Sequence, residues 1–437
     1  MPALGLLYLA GYLERENISS DIVDFQATLV PWDKIDDKIK TLEYDFFGIT
    51  ATTPLVVNAY KIADIIKKHH PLAKVVLGGV HPTALPDEAL SYPSVDYVVR
   101  GDGEEPFLNL VKGTPPDQIS GISYRDSGQV KHIGEPGYVK NLDSLPTPAF
   151  HKIDFSLYHP AVGAYKRLPA INMTATRGCP GKCTFCNSAS TKLRHRSAEH
   201  IFAEMEILSK KYGMREICFY DDTFTVYPEN IKRLCELIIA NKLDITWSCF
   251  ARTDCVTAEM LGMMKKAGCH QVMYGIEAYN EKILKNIKKT ISYEKNANAI
   301  KMAQKVGITV RCTFMFGNPG ETIETMDETI QYAIKLNPDI ALFNITIPFP
   351  GTEMYEWAKS KGYLTTYDWM EYDLSEPVMI LPGLTRDSMK KKYKEAFFKY
   401  YLRPLYILRQ MRRFASPSEL PLLIGALKSM FRFFRSA

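Results

Sequence analysis

The sequence lacks the segments that carry a chain into or across a membrane. No apolar run reaches the roughly 18 residues that a bilayer-spanning helix needs. The opening segment MPALGLLYLAGYLERE has neither the basic leader nor the cleavage site of a secretory signal. These absences disfavour membrane-spanning and secreted proteins, and we expect a cytoplasmic location.

A strong excess of charge is also missing. The formal net charge is only +5 over 437 residues, and most of the excess lies in residues 403–437, so nucleic acid is not an expected partner. Within this stretch, arginine and lysine alternate with aromatic and aliphatic residues. The pattern predicts two amphipathic helices divided near Ser416 and Pro417. Two interpretations stay open: peripheral contact with an anionic membrane or a lipid-like substrate, or helices packed on the protein with solvated arginines.

Disulfide bonds are not expected either. The nine cysteines are an odd number, and the chain shows no secretory leader, which together predict thiols that stay free or hold metal. Hydrophobic residues make up 46% and charged residues 24%, which is the balance of a folded protein. The length suits two or three domains.

Residues 1–115 alternate helical and strand-like runs, the pattern of an α/β domain with a parallel sheet wrapped by helices. Apolar residues at helical spacing predict helices over 4–14 and 56–69. Four runs are typical of strands, at 21–25, 45–53, 74–80 and 95–101. A doubly wound, Rossmann-like domain normally begins with a strand. Because this pattern begins with a helix, the first strand of the domain is missing from it.

Three further regions follow. Residues 116–167 carry turn signals between short alternating runs, which predict a hairpin and linker. Residues 168–365 contain six strand-helix units and predict a partial (βα)6 barrel of the TIM type, in which catalytic residues directly follow the strands. Residues 366–437 form a helical C-terminal region. The six predicted barrel strands lie near 171–176, 216–220, 246–250, 270–276, 308–316 and 340–347.

Three cysteines follow the first barrel strand in a C-x3-C-x2-C arrangement. Cys179, Cys183 and Cys186 lie in the segment RGCPGKCTFCNS, where three thiolates on one short loop predict a 4Fe-4S cluster with one iron left open. The alternatives are a zinc site with His195 as a further ligand, or three buried thiols. Structural zinc loops usually pair two short cysteine motifs. The other six cysteines show no ligand spacing and are interpreted as core thiols.

The motif CPGKCTFC, placed after a strand and before a six-fold β/α series, resembles the signature of the radical S-adenosylmethionine superfamily. The resemblance covers about residues 168–365. It implies that S-adenosylmethionine binds the open iron and that one electron from the cluster cleaves it to a 5′-deoxyadenosyl radical. A reductant such as flavodoxin or ferredoxin is an implied partner. Phe185 corresponds to the aromatic residue that lies near the adenine in that family.

Further residues at the ends of the barrel strands match or replace the family's cofactor-binding positions. Asp221 and Asp222 stand where a Gly-Gly-Glu run usually receives the amino group of S-adenosylmethionine. Glu277 stands at the position that contacts the ribose hydroxyls. The remaining candidates are Ser248 for the ribose, Arg252 for the cofactor carboxylate, and Gly317 with Glu321 beside the adenine.

Each of these residues also has a structural interpretation. The two aspartates could cap a helix, Arg252 could form a surface salt bridge, and Ser248 could be an ordinary strand serine. Glu277 could be solvated, and the segment around Gly317 could be a strand-to-helix turn with Glu321 near the helix start.

Three turns of the front domain leave strand ends on one side of the sheet, where open α/β sheets bind ligands. Placed ahead of a radical barrel, LGLLYLAGYLE, GGVHPT and RGDGEEP resemble the cobalamin-binding domain of cobalamin-dependent radical S-adenosylmethionine enzymes. Because no D-x-H-x-x-G motif is present, the resemblance implies a corrinoid without a protein ligand to cobalt. The candidate contacts are Thr52, Gly78, Gly79, His81, Gly101, Gly103 and Glu104.

The resemblances favour one function and leave two others open. The favoured function is removal of hydrogen from an unactivated carbon of a small molecule, followed by methyl transfer from cobalamin. A rearrangement or cyclisation of the anaerobic porphyrin cyclase type would use the same motifs. A non-catalytic corrinoid or iron-sulfur sensor would leave S-adenosylmethionine uncleaved.

Overall fold

The computed structural model of the protein describes residues 1–161, 163–289 and 291–413. Its front part is an α/β domain built on a five-stranded sheet in the order β1-β2-β3-β4-β5, with β1 to β3 parallel and β4 and β5 antiparallel. The strands are β1 (Phe46–Thr50), β2 (Lys74–Gly78), β3 (Tyr97–Val99), β4 (Ile122–Asp126) and β5 (Gln129–His132). The helices are α1 (Leu4–Arg15), α2 (Trp32–Lys40), α3 (Val56–His69), α4 (Val80–Ala84), α5 (Pro86–Ser91) and α6 (Glu104–Val111).

The second part is an open half-barrel. Its six parallel strands run in the order β13-β12-β11-β10-β9-β6, and a two-stranded ribbon, β7-β8, lies beside them. The strands are β6 (Ala170–Met173), β7 (Thr176–Arg177), β8 (Arg194–His195), β9 (Glu216–Phe219), β10 (Thr246–Ala251), β11 (Cys269–Glu277), β12 (Thr309–Phe316) and β13 (Ile340–Ile345). The helices are α7 (Ala198–Tyr212), α8 (Pro228–Ala240), α9 (Ala258–Lys266), α10 (Glu281–Asn286), α11 (Tyr293–Lys305), α12 (Ile323–Leu336), α13 (Glu353–Ser360), α14 (Arg386–Tyr401) and α15 (Pro404–Arg413).

The six predicted barrel strands are confirmed, each within a few residues. Side chains of β12 and β13 alternate between half-buried and buried along their whole length. In a barrel this alternation separates the inward face from the face covered by helices. The half-buried set faces the lumen, which is therefore not filled by the side chains of these two strands.

One predicted strand is wrong: residues 21–25 have no strand structure. In a doubly wound sheet of order 2-1-3-4-5 the second strand pairs only with the first. In the described sheet β1 is the edge and pairs only with β2, so residues 21–25 have no described strand beside them with which to form a ladder.

The hairpin predicted in the linker region is confirmed as β4 and β5, and it also extends the first sheet. β4 pairs with β3 through Tyr97–Tyr124, Val98–Ser123 and Val99–Ile122. This antiparallel addition makes the sheet mixed, because a hairpin can join the edge of a parallel sheet without a crossover helix.

The two parts share their hydrophobic cores. Leu7 and Tyr8 of α1 pack in the core of the half-barrel. In the opposite direction, Trp369 and Tyr372 pack in the core of the front domain, and the Trp369 indole N–H donates to Glu88 at 2.9 Å. Breaking apart the two units would therefore expose large apolar side chains on both sides.

The C-terminal helices lie against the open edge of the half-barrel. The Tyr401 hydroxyl bonds both the backbone N–H and the C=O of Ala341 on the edge strand β13. On α15, Arg409 donates to the carbonyl groups of Asn337 and Pro338. The second predicted tail helix lies outside the described residues. Within the described part of the chain, no helix is long and apolar enough to cross a bilayer.

Candidate functional site

The cysteine loop is closed by the short ribbon at the end of β6. β7 pairs with β8 in antiparallel fashion, which brings both ends of the loop together. Gly178 has φ +88°, and a Cβ there would lie 2.5 Å from the Lys192 carbonyl oxygen. Only glycine fits this conformation and this approach without strain. The backbone thus presents all three cysteines on one compact loop at the carboxyl end of the first barrel strand.

The three thiols are half-exposed, whereas five of the other six cysteines are buried. Burial raises the pKa values of Cys183 and Cys186, and the Lys289 ammonium opposes the rise at Cys183. At Gly181, a Cβ would meet Cys179 Sγ at 3.2 Å and Arg252 Nη1 at 3.1 Å. Because position 181 has no side chain, the space between the loop backbone and the Cys179 thiol stays open. Two of the three thiols have a cation beside them.

The donor set fits an iron-sulfur cluster better than a single ion. In the part of the chain that the structure describes, no three His, Cys, Asp or Glu side chains converge as one metal ion requires. A four-iron cubane needs a wider arrangement around one centre, because each thiolate binds a different iron. His195, the predicted alternative zinc ligand, is exposed on β8 and its ring lies 4.1 Å from that of Tyr227.

Asp221 and Asp222 both brace the cysteine loop. Asp221 is buried and accepts hydrogen bonds from the backbone N–H groups of Ala175 and Thr176 and from the Thr176 hydroxyl. Burial raises its pKa to about 7, and its second oxygen has no partner among the described residues. Neither aspartate caps α8, which begins at Pro228.

Asp222 reaches the loop from its other side. It accepts from the Gly178 N–H at 3.2 Å and from the Ser188 hydroxyl at 2.7 Å. These partners flank the three cysteines in the sequence, so the carboxylate ties the two ends of the loop together. Binding of an amino group by either aspartate stays a prediction.

Glu277 forms a buried ion pair that the sequence did not indicate. Its Oε1 lies 2.6 Å from Lys289 Nζ, and Thr313 donates to its Oε2 at 3.4 Å. A side chain at Gly275 would collide with both ends of this pair. Lys289 also stands beside Cys183, so the pair connects the proposed ribose position with the cysteine loop. The role of Glu277 toward a ribose stays a prediction.

Arg252 forms a bidentate pair with Asp254, with Nε–Oδ1 at 3.0 Å and Nη2–Oδ2 at 2.8 Å. The guanidinium also faces the cysteine loop at Gly181. Ser248 is buried on β10, and Phe185 is half-buried against the core of the half-barrel. Arg252 thus lies beside the cysteine loop, whereas the Ser248 hydroxyl contacts the Cys218 thiol within the sheet. The contacts of all three candidates to a cofactor stay predictions.

Gly317 and Glu321 form a self-contained turn. The Glu321 carboxylate accepts from the backbone N–H groups of Gly317 and Asn318 at 2.6 and 2.8 Å, and burial raises its pKa to about 8. Gly317 has φ +90°, and a Cβ there would lie 2.5 Å from Met389 on α14. This geometry agrees with the structural interpretation of the turn; adenine contact stays a prediction.

The front domain presents its own ligand edge at the carboxyl ends of β1 and β2. Gly79 has φ +98°, and a Cβ there would lie 2.7 Å from the Ala51 carbonyl oxygen. Thr52 is exposed beside this turn. Leu55 follows β1 and Val80 follows β2, and their side chains are 44% and 50% exposed. Exposed apolar side chains near closely approaching backbone suit a flat macrocycle such as a corrinoid.

At two of the other front candidates, the exposed Gly101 and the half-buried Gly103, an added side chain would meet neighbouring protein atoms. A Cβ on Gly101 would lie 2.6 Å from the Gly137 carbonyl oxygen, and one on Gly103 would touch Leu9. Gly78, at the end of β2, is half-buried.

His81 is enclosed. Its ring contacts Thr53 Oγ1 at 3.2 Å and Glu88 Oε1 at 3.4 Å, and Trp369 packs edge-on against it at 5.1 Å. Both ring nitrogens are therefore engaged. Corrinoid contact through His81 stays a prediction, and it would require the ring to give up Thr53 or Glu88 as a partner.

The two candidate edges meet through a network of ion pairs, here called the interdomain clasp: Arg177, Arg194, Asp102 and Glu104. Arg177 contacts Glu104 Oε1 at 2.6 Å and Asp102 Oδ1 at 3.1 Å, and Arg194 bonds Asp102 as well. The two arginines flank the cysteine loop, whereas the two acids belong to the front turn. Glu104, a predicted cofactor contact, is therefore engaged in holding the two edges together.

Comparisons with known proteins agree with this architecture. Residues 173–333 match the Radical SAM superfamily model, and residues 1–111 match the B12 binding domain model. An uncharacterized methyltransferase of Pyrococcus horikoshii is 35% identical over 94% of this chain and 90% of its own length. An anaerobic magnesium-protoporphyrin IX monomethyl ester cyclase of Rubrivivax gelatinosus is 28% identical over 99% of this chain and 79% of its own length.

Among solved structures, the chain is similar to the radical S-adenosylmethionine methyltransferase TsrM of Kitasatospora setae with cobalamin and a [4Fe-4S] cluster bound. The TM-score is 0.73 at 18% identity, covering 93% of this chain and 87% of that chain. At this identity the similarity establishes the shared fold, with the same front domain and half-barrel.

Proposed function

Because this chain belongs to the cobalamin-dependent radical S-adenosylmethionine enzymes, we propose that it transfers a methyl group to an unactivated carbon of a small-molecule substrate. The observation that carries the proposal is the interdomain clasp, which joins the residues flanking the cysteine loop to the turn after β3 of the front domain. The methyltransferase relative at 35% identity supports the same function.

Each cofactor has a set of residues that suits it. Cys179, Cys183 and Cys186 would hold three irons, and the turn around Gly79 and the exposed Val80 would receive the corrinoid. When bound, the cluster supplies one electron to S-adenosylmethionine, and cobalamin carries the methyl group.

The protein's own residues orient and shield these groups. Asp221 and Asp222 fix the base of the cysteine loop through backbone N–H groups, which holds the thiols in one geometry. Lys289 and Arg252 stand beside the loop, where their charges favour thiolates. Binding of the cofactor carboxylate by Arg252 would require it to share or exchange its pair with Asp254.

A small acidic electron carrier, such as flavodoxin or ferredoxin, is the proposed reductant. A cleft lined by Lys182, Lys288 and Glu353 reaches Cys183 and Cys186 from the surface. Lys182 is exposed there. Lys182 on this rim would help to steer a negatively charged partner toward the cluster, whereas Lys288 is paired with Glu353.

Cyclisation is the second candidate function, favoured by the cyclase relative that matches 99% of this chain.

Membrane contact by the C-terminal tail stays a prediction. On α15, Leu405 is 82% exposed, which leaves an apolar side chain available, whereas Arg403 and Arg409 bond the half-barrel.

The co-products of S-adenosylmethionine separate the two functions. We expect anaerobically reconstituted protein, given reductant and a metabolite extract of the native host, to form 5′-deoxyadenosine and S-adenosylhomocysteine together. Loss of a methyl group leaves S-adenosylhomocysteine, which a cyclisation does not produce. Methyl-labelled S-adenosylmethionine should also pass its label to a small molecule, read by mass spectrometry.

5′-Deoxyadenosine without S-adenosylhomocysteine and without transferred label would favour cyclisation over methylation. Intact S-adenosylmethionine after full reconstitution would favour the non-catalytic sensor.

A further inference from the structure

Arg311 is a lumen-facing arginine of the half-barrel that has no carboxylate partner among the described residues. Arg311 lies on β12, in the half-buried set that faces inward. In the described chain its only hydrogen bond runs from Nη1 to the side-chain oxygen of Gln271, at 3.3 Å. Its Nε is buried and has no partner among the described residues.

No carboxylate balances this charge within the described chain. The groups that act electrostatically on Arg311 are Tyr220, Tyr401 and Cys218, none of them an acid that is ionised at neutral pH, and burial lowers the pKa of the guanidinium. The other two cations at the mouth are paired, Lys289 with Glu277 and Arg252 with Asp254. Arg311 therefore differs from Lys289 and Arg252, each of which has a carboxylate partner.

A half-buried guanidinium without a counterion is unfavourable, because it has lost part of its hydration and gained no opposite charge. The planar fork of arginine binds a carboxylate or a phosphate through two parallel hydrogen bonds. The lumen is open at this level, since the inward side chains of β12 and β13 are only half-buried. A ligand can therefore reach the group.

Aromatic side chains border the same space. Tyr220 and Phe250 stack at 5.3 Å between ring centroids, with 22° between their planes. Tyr220 is 42% exposed and interacts electrostatically with Arg311. Together they offer an apolar, planar wall beside a cation.

We propose that Arg311 binds an anionic group of the substrate, a carboxylate or a phosphate, inside the half-barrel, with the body of the substrate against Tyr220 and Phe250. This inference rests on the proposed function in one respect only: it takes the lumen to be the substrate cavity.

The test is direct binding to the anaerobically reconstituted enzyme in a buffer free of carboxylate and phosphate. Benzoate, its neutral isostere benzamide, and inorganic phosphate are titrated by ligand-observed NMR. We expect benzoate or phosphate to bind wild type and to bind the Arg311→Gln variant about tenfold to a hundredfold more weakly, as loss of a charged hydrogen-bonded pair implies. Preference for benzoate would identify a carboxylate, and preference for phosphate a phosphate ester.

The Arg311→Lys variant keeps the positive charge but lacks the planar guanidinium, and it serves as a control for a folding defect. It should bind the anion with intermediate affinity, and all variants should retain wild-type iron and cobalt contents. Benzamide binding as tightly as benzoate, failure of both anions to bind, or unchanged anion affinity in Arg311→Gln would each overturn the proposal.

This result is independent of the proposed methyl transfer. Anion binding that depends on Arg311 would stand even if no S-adenosylhomocysteine formed, and its absence would leave a positive methyl-transfer assay intact.

Discussion

Replacing Cys186 by alanine will remove the iron-sulfur cluster and lower S-adenosylmethionine cleavage by at least about a thousandfold. Two thiolates cannot retain a cubane whose open iron must also hold S-adenosylmethionine. The loop itself should persist, because its closure depends on Gly178, the β7-β8 ribbon and the two aspartates rather than on the thiol. Iron content and 5′-deoxyadenosine formation under anaerobic conditions measure the effect.

Cys255→Ala is the matched control. This thiol is also half-exposed and lies just beyond β10, yet it has no ligand spacing to the other cysteines. Its loss should leave iron content and cleavage near wild type. Retained cleavage in Cys186→Ala, or equal losses in both variants, would contradict the assignment of the ligands.

Replacing Arg177 by glutamine will lower the free energy of unfolding by about 3 kcal/mol and weaken the contact between the cysteine loop and the front domain. The change leaves Glu104, which is 4% exposed, without its cation, and an unpaired buried charge is the costly outcome. We place the effect at the low end of the range for buried pairs because Arg177 is itself one-fifth exposed. Denaturant unfolding of the reconstituted protein measures the change in free energy.

Arg233→Gln provides the comparison. Its partner Glu199 and Arg233 itself are both more than half exposed, so solvent screens the pair and the expected loss of stability is far smaller than for Arg177. The double variant Arg177→Gln, Glu104→Gln should be less destabilised than the sum of the single variants, since the two residues interact. Additive losses, or equal losses for Arg177 and Arg233, would show that the interdomain clasp does not hold the edges together.

Local signals in the sequence were enough for most of the architecture. Each barrel strand is a short apolar run followed by a helical pattern, so periodicity located all six. The cysteine spacing lies within eight residues and needed no tertiary information. The same holds for 56–69, where the predicted helix and α3 have identical bounds.

Partnerships between distant residues could not be read from the sequence. Lys289 lies 12 residues after Glu277 and Arg177 lies 73 residues after Glu104, and no periodicity links such pairs. The failed strand at 21–25 has the same origin, because strand formation depends on a neighbouring strand as much as on local composition. His81 looked available in a Gly-rich turn, and only the fold shows Trp369, 288 residues later, packed against it.

The central claim is that one chain brings an iron-sulfur cluster and a corrinoid face to face. The most direct measurement is the iron and cobalt content of the full-length protein, purified anaerobically and reconstituted with iron, sulfide and cobalamin. The account predicts about four irons and one cobalt per chain after gel filtration. Iron near that value without retained cobalt, or cobalt without iron, would contradict it.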